Sequence, residues 1–252
     1  MIQINLYPIL AAGLLGALTP VAATDAHHQP ATGEWVTLFD GGSTAHWRGF
    51  QRDGFPSDGW KIDGDALKPL TDGTVIDLIT RRQYRHYELE LEWRVAPRGN
   101  SGLFFHVAED HPQVWYTGPE IQLLDDERHP DGEDPKTSAG SIFDLIAPGP
   151  KVLRPAGEYN LARVIVRGPR IEHYLNGRKI LDVDLESREF KQLVADSKFG
   201  DMPGFARRHE GHIALQHASV SPLKAPVWFR NIRIRELPAT GTAVDGGRTA
   251  VR

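Results

Sequence analysis

Apolar and polar residues alternate one for one along much of this chain, and the alternation predicts strands. The clearest run is 87–95, where Tyr87, Leu89, Leu91, Trp93 and Val95 are separated by Glu88, Glu90, Glu92 and Arg94. That two-residue period describes a sheet with one face in a core and the other solvated. Similar runs predict strands at 35–39, 75–79, 102–107, 120–124, 141–146, 160–166, 170–175, 179–183, 211–216 and 227–235. In 102–107 the period puts Leu103, Phe105 and Val107 on one face and Phe104 and His106 on the other. Asp63-Gly64 reads as the turn of a hairpin over 60–67, and Asn176-Gly177 as a type I′ turn. Trp47 and Phe50 fall in a loop-like stretch. Phe190, Leu193 and Val194 have helical spacing, which predicts a single short helix over 186–196. More than ten strands and one helix predict an all-β fold, a two-sheet jelly-roll sandwich whose groove is lined by alternate residues of its central strands.

Composition adds limits to this picture. The 252 residues, 40% hydrophobic with 25 Gly and 18 Pro, suit one large β domain. A net charge of −4 is too balanced for a nucleic-acid partner. With no cysteine, only His, Asp, Glu and carbonyl oxygens could hold a divalent metal, and whether one is required stays open. Residues 9–23 are almost wholly apolar or small and end in Val21-Ala22-Ala23, so 1–23 is expected to be a cleaved export signal. The expected location is the periplasm or the exterior, with no stable membrane insertion after cleavage. The domain is expected over 34–237, followed by a flexible tail over 238–252.

Carboxylates, amides and imidazoles concentrate in one region. In 120–124, Glu120 and Gln122 share a face opposite Ile121 and Leu123. Upstream lies Gly99-Asn100-Ser101-Gly102; downstream lie Asp125, Asp126, His129 and Asp144. No phosphate-binding glycine loop, Gly-x-Ser-x-Gly elbow or His-Glu-x-x-His pair is present. What remains suits proton transfer near a sugar, or the binding of sugar hydroxyls. Glu120, Asp125, His129 and Asp144 are the candidate catalytic groups. Gln122, Asn100, Ser101, Arg230 and Asn231 are the candidate substrate ligands. Arg230 shares parity with the apolar Ile232 and Ile234, so it reads as a structural ion pair unless the strand bulges.

An ordered set of motifs carries a resemblance: Phe39-Asp40-Gly41, Gly59-Trp60, Asn100-Ser101-Gly102, Glu120-Ile121-Gln122, Gly157-Glu158-Tyr159-Asn160, Leu175-Asn176-Gly177, Gly211-His212-Ile213-Ala214-Leu215-Gln216 and Phe229-Arg230-Asn231-Ile232-Arg233. Through them the chain resembles the 3-keto-disaccharide hydrolase domain family over about 34–237. The resemblance implies a concanavalin A-like lectin/glucanase sandwich, export, and cleavage of glycosides whose sugar carries a ketone at C3. After Gln216 the chain departs from the family's short acidic-His-Gly turn, with His217-Ala218-Ser219 in its place. Two other readings stand beside this one. A non-catalytic carbohydrate-binding module would use Trp47, Trp60 or Trp115 as stacking platforms. An ordinary glycosidase would need two carboxylates ~5–5.5 Å or ~6.5–9.5 Å apart.

Overall fold

A computed structural model describes residues 33–217 and 225–239. The expected export signal and the tail beyond residue 239 lie outside the described residues. Thirteen strands are present among the described residues: β1 (Trp35–Phe39), β2 (Trp47–Gly49), β3 (Trp60–Asp63), β4 (Ala66–Pro69), β5 (Leu78–Thr80), β6 (His86–Val95), β7 (Asn100–Val107), β8 (Glu120–Leu124), β9 (Asn160–Arg167), β10 (Arg170–Leu175), β11 (Arg178–Asp184), β12 (His212–Leu215) and β13 (Val227–Glu236). One α-helix, α1 (Arg188–Ala195), starts where the Ser187 hydroxyl accepts the Phe190 N–H at 3.1 Å, an N-cap that satisfies a donor the helix cannot. No described helix is long and apolar enough to cross a membrane.

The strands form two antiparallel sheets, in the expected jelly-roll sandwich. The larger runs β11-β10-β9-β6-β13-β4-β3, with β1 also on β13; the smaller runs β2-β5-β12-β7-β8. The core lies between them. Leu89, Leu91 and Trp93 of the larger sheet meet Leu103, Phe105, Ile121 and Leu123 of the smaller one, all nearly inaccessible to solvent. Burying this much apolar surface is the main drive to fold.

The outer face of the larger sheet is an ion-pair ladder rather than a row of solvated charges. Glu88 binds Arg163 and Arg235, Glu90 binds Arg233, and Glu92 binds Arg230. Burial alone would raise the Glu88 carboxyl, but hydrogen bonds from Arg235 and Arg163 hold it below its ordinary value.

Local departures from strict alternation have visible causes. His106 has φ +57° and the β7–β12 register shifts there, so Val107 crosses to the Phe104 side and joins a second small core with Phe50 and Val114. Residues 47–49 pair with β5 as a strand where a loop was expected. The strand expected at 75–79 begins only at Leu78, leaving Val75 exposed. The stretch 141–146 is not a strand. Ile142 bridges Ile121 and Ile146, and Asp144 takes a left-handed φ of +62°, which no extended strand tolerates.

Candidate active site

β7 and β8 pair antiparallel with Gly102 opposite Gln122 and Phe104 opposite Glu120. Because Ile121 and Leu123 point into the core, Glu120 and Gln122 point out of the sandwich. They enter a cavity of about 760 Å³ on the outer face of the smaller sheet. Gly102 makes the space: a Cβ there would lie 2.0 Å from the Glu120 Oε1. Any side chain at 102 therefore displaces the carboxyl. Gln122 is 1% exposed, and its Oε1 has no hydrogen-bond partner in the structure. A buried acceptor left unpaired is costly, and a donor on a ligand would relieve it.

The cavity has a polar end and an aromatic end. Arg98, Asn100, His129 and Asp131 line one end, where Asn100 Nδ2 donates to Asp131 Oδ2 at 3.3 Å. The Asp131 backbone N–H donates to His129 Nδ1 at 3.2 Å, so a neutral His129 carries its proton on Nε2. Trp115, Phe143, Phe199, Met202 and Phe205 line the other end. Glu120 stands between the two. Burial first, then the negative charges of Asp77 and Asp131, push its carboxyl up to about 8 against the opposing Lys198 ammonium. Asp77, itself raised to about 6 by burial, accepts the His217 N–H at 2.7 Å.

The structure brings together only part of the candidate set. Glu120, Gln122, Asn100 and His129 share the cavity. Asp125 is a brace beside it, its carboxylate accepting the N–H groups of Arg98 at 2.7 Å and Glu127 at 3.3 Å. Asp144 stands one step away and binds Lys198 at 3.2 Å. Ser101 faces the opposite way from its neighbours Asn100 and Gly102, and its hydroxyl donates to the Gln216 carbonyl at 2.8 Å. Arg230 and Asn231 are on the outer face of the other sheet. A bulge at Asn231, with φ +49°, reverses the strand's parity, so Arg230 points outward to Glu92 and Asp65. Asn231 Nδ2 donates to the same Glu92 at 2.9 Å. His217 is buried against the edge of Trp60, its ring nitrogen Nε2 3.1 Å from the Gly59 carbonyl. Trp47 and Trp60 are core residues, and of the three only Trp115 lines the cavity.

Sequence reading passed over Lys198, Asp131, Arg98, Gln216 and Met202, all of which line the cavity. Lys198 and Met202 lie in the chain that follows α1, and local patterning says nothing about where such a segment docks. One signal was available: Phe199 and Phe205 are too apolar for a solvated loop, and they stack at 4.2 Å between ring centres. Among the described residues no three His, Asp or Glu side chains gather as a metal ion would require.

Comparison with known proteins agrees with this geometry. Residues 34–235 match the model of the 3-keto-alpha-glucoside-1,2-lyase-like domain. A 3-keto-disaccharide hydrolase of Bacteroides thetaiotaomicron is 31% identical over 233 residues, spanning 81% of this chain and 78% of the relative. A crystal structure from Parabacteroides distasonis, provisionally described as a glycosyl hydrolase, superposes with a TM-score of 0.72 at 26% identity, covering 81% of this chain and 94% of that one. A second from the same organism, at 23% identity and a TM-score of 0.63, shares the fold. The chain belongs to the 3-keto-alpha-glucoside-1,2-lyase-like domain family and is a glycoside-acting enzyme.

Proposed function

We propose that the enzyme cleaves 3-keto-glycosides by elimination, with Glu120 as the base. The observation that carries this reading is a half-buried carboxyl, raised to about 8, that shares its cavity with a buried amide oxygen lacking a partner. A ketone at C3 acidifies the hydrogen on C2. Glu120 takes that proton, and the electron pair becomes an enolate with its charge on the C3 oxygen. The Asn100 amide N–H can donate to that oxygen, a kind of stabilisation often worth about 10²–10³ in rate, while the unpaired Gln122 Oε1 can accept from a sugar hydroxyl. When the carbonyl re-forms, a C1=C2 double bond forms and the C1–O bond breaks. Lys198, the cation nearest the aromatic end, supplies a proton to the departing oxygen. Water then adds at C1 and a proton returns to C2, so the net change is hydrolysis. Release of the enone before hydration would make the same site a lyase, which accounts for both names among the relatives.

A base acts only when ionised. An ordinary carboxylate is ionised at neutral pH but is a weak base; one near 8 is a much stronger base and is still partly ionised. The value of kcat/KM on a 3-keto-glycoside should therefore rise with pH from about 6 and level off above about 8. A profile that is flat through this range, or falls, removes Glu120 from the role of base.

Export is part of the same proposal. The apolar stretch 9–23 ahead of Thr24 supports action in the periplasm or outside the cell. N-terminal sequencing of protein recovered from its host should start near Thr24; Met1 on a membrane-bound product would contradict it.

A further inference from the structure

Glu120 sits on a boundary, and the boundary says what kind of leaving group fits. Along β7 the cavity-facing positions run Asn100, Gly102, Phe104, and along β8 they run back as Gln122, Glu120. Polar groups occupy the Asn100 end. Beyond Glu120 the lining changes character. The Phe143 N–H donates to the Glu120 carbonyl at 3.0 Å, and the Ala206 N–H donates to the Thr117 carbonyl at 2.9 Å. These bonds fix Phe143 and the 199–206 segment at the Glu120 end. Trp115 joins them from a 3₁₀ turn over Val114–Tyr116.

Phe104, Trp115, Phe143, Phe199, Met202 and Phe205 thus form one half of the cavity. Among the described residues the side-chain polar groups of this half are the Trp115 indole N–H and Lys198, which lies 4.3 Å above the Phe143 ring and is paired with Asp144. A second sugar placed there would strip water from several hydroxyls and find almost no partners for them, a cost that hydrogen-bonding sites avoid. A flat apolar group gains burial and ring contacts instead. The sugar's own demands are the reverse: a ketone and free hydroxyls match the amides, imidazole and carboxylate of the polar half.

Building on the elimination reading above, we infer that the aromatic half is a leaving-group subsite selective for aromatic aglycones over a second sugar. Bound this way, the keto sugar lies over Asn100 and Gln122. The C1–O bond stands at Glu120, and the departing oxygen lies on the Lys198 side.

The test uses wild-type protein with benzyl 3-keto-α-glucoside and a 3-keto-α-glucosyl-glucose. Benzyl alcohol leaves no more readily than a sugar hydroxyl, so a preference reports binding rather than intrinsic reactivity. We expect kcat/KM to be at least about tenfold higher for the benzyl compound, in the range one well-filled apolar pocket supplies. Met202→Ser, at a half-buried position, should lower the benzyl value about fivefold or more and the disaccharide value less than twofold. Equal rates, or preference for the disaccharide, overturn the subsite while leaving the elimination reading intact. Turnover of neither compound overturns both. The wild-type comparison decides the matter even if a variant folds poorly.

Discussion

The parent glycoside, with an ordinary hydroxyl at C3, should not be cleaved at a measurable rate under conditions in which its 3-keto counterpart is consumed. The expectation follows from the acidity of the C2 hydrogen. Without the adjacent carbonyl, the electron pair left behind has nowhere to go. A positioned base contributes about 10²–10⁴, far short of what an unactivated C–H bond demands. The cavity is also poorly equipped for the alternative. A conventional glycosidase needs an acid and a second carboxylate on either side of the bond. Among the described residues the cavity lining holds one carboxylate besides Glu120, Asp131, and that is engaged by Asn100. Purified protein offered both compounds, with and without chelator, gives the answer; comparable turnover of the two would remove the ketone from the mechanism.

Glu120→Gln should cut turnover of the 3-keto substrate by about 10² or more without harming the fold. The amide keeps the size of the side chain and loses its basicity. Stability provides the control. Glu120 has a folded value of about 8 against an ordinary 4.5. Between those two values the unfolded chain releases a proton that the folded chain retains, so native stability falls as pH rises across that window and levels off above about 8. A glutamine cannot ionise and escapes this loss. Near pH 8 the variant should therefore melt higher than wild type, by roughly 2–4 °C for each kcal/mol recovered in a domain of this size. Its pH–rate profile should also lose the rising limb. Full activity in the variant would pass the role of base to another cavity residue, His129 first.

Much of the fold could be read in advance because strand periodicity and turn chemistry are local. The Tyr87 to Val95 alternation, the Asn176-Gly177 turn and the outward aim of Glu120 and Gln122 each follow from a few adjacent residues. The misreadings came from single backbone irregularities. One residue with positive φ, at His106, Asp144 or Asn231, shifts the parity of everything beyond it or ends a strand, and neither periodicity nor composition marks such a residue. At Asn231 it turns Arg230 outward to Glu92; that this strand belongs to the opposite sheet from the cavity is a long-range matter that local patterning cannot show. Asp125 illustrates another limit. An acid at a strand end is equally suited to chemistry and to collecting backbone N–H groups, and only the fold shows that it does the latter. Lys198 and the aromatic wall were beyond local reading because their positions depend on where the chain after α1 docks.

The most direct test of the account is the fate of the C2 hydrogen. A 3-keto-glycoside carrying deuterium at C2 should be incubated with the enzyme in ordinary water, and the released 3-keto sugar analysed at early times against a control without enzyme. Elimination and rehydration pass the label to Glu120 and then to solvent, so the product should contain hydrogen at C2. Product that retains its deuterium would mean that the C1–O bond broke by direct hydrolysis, and that Glu120 is not the base of an elimination.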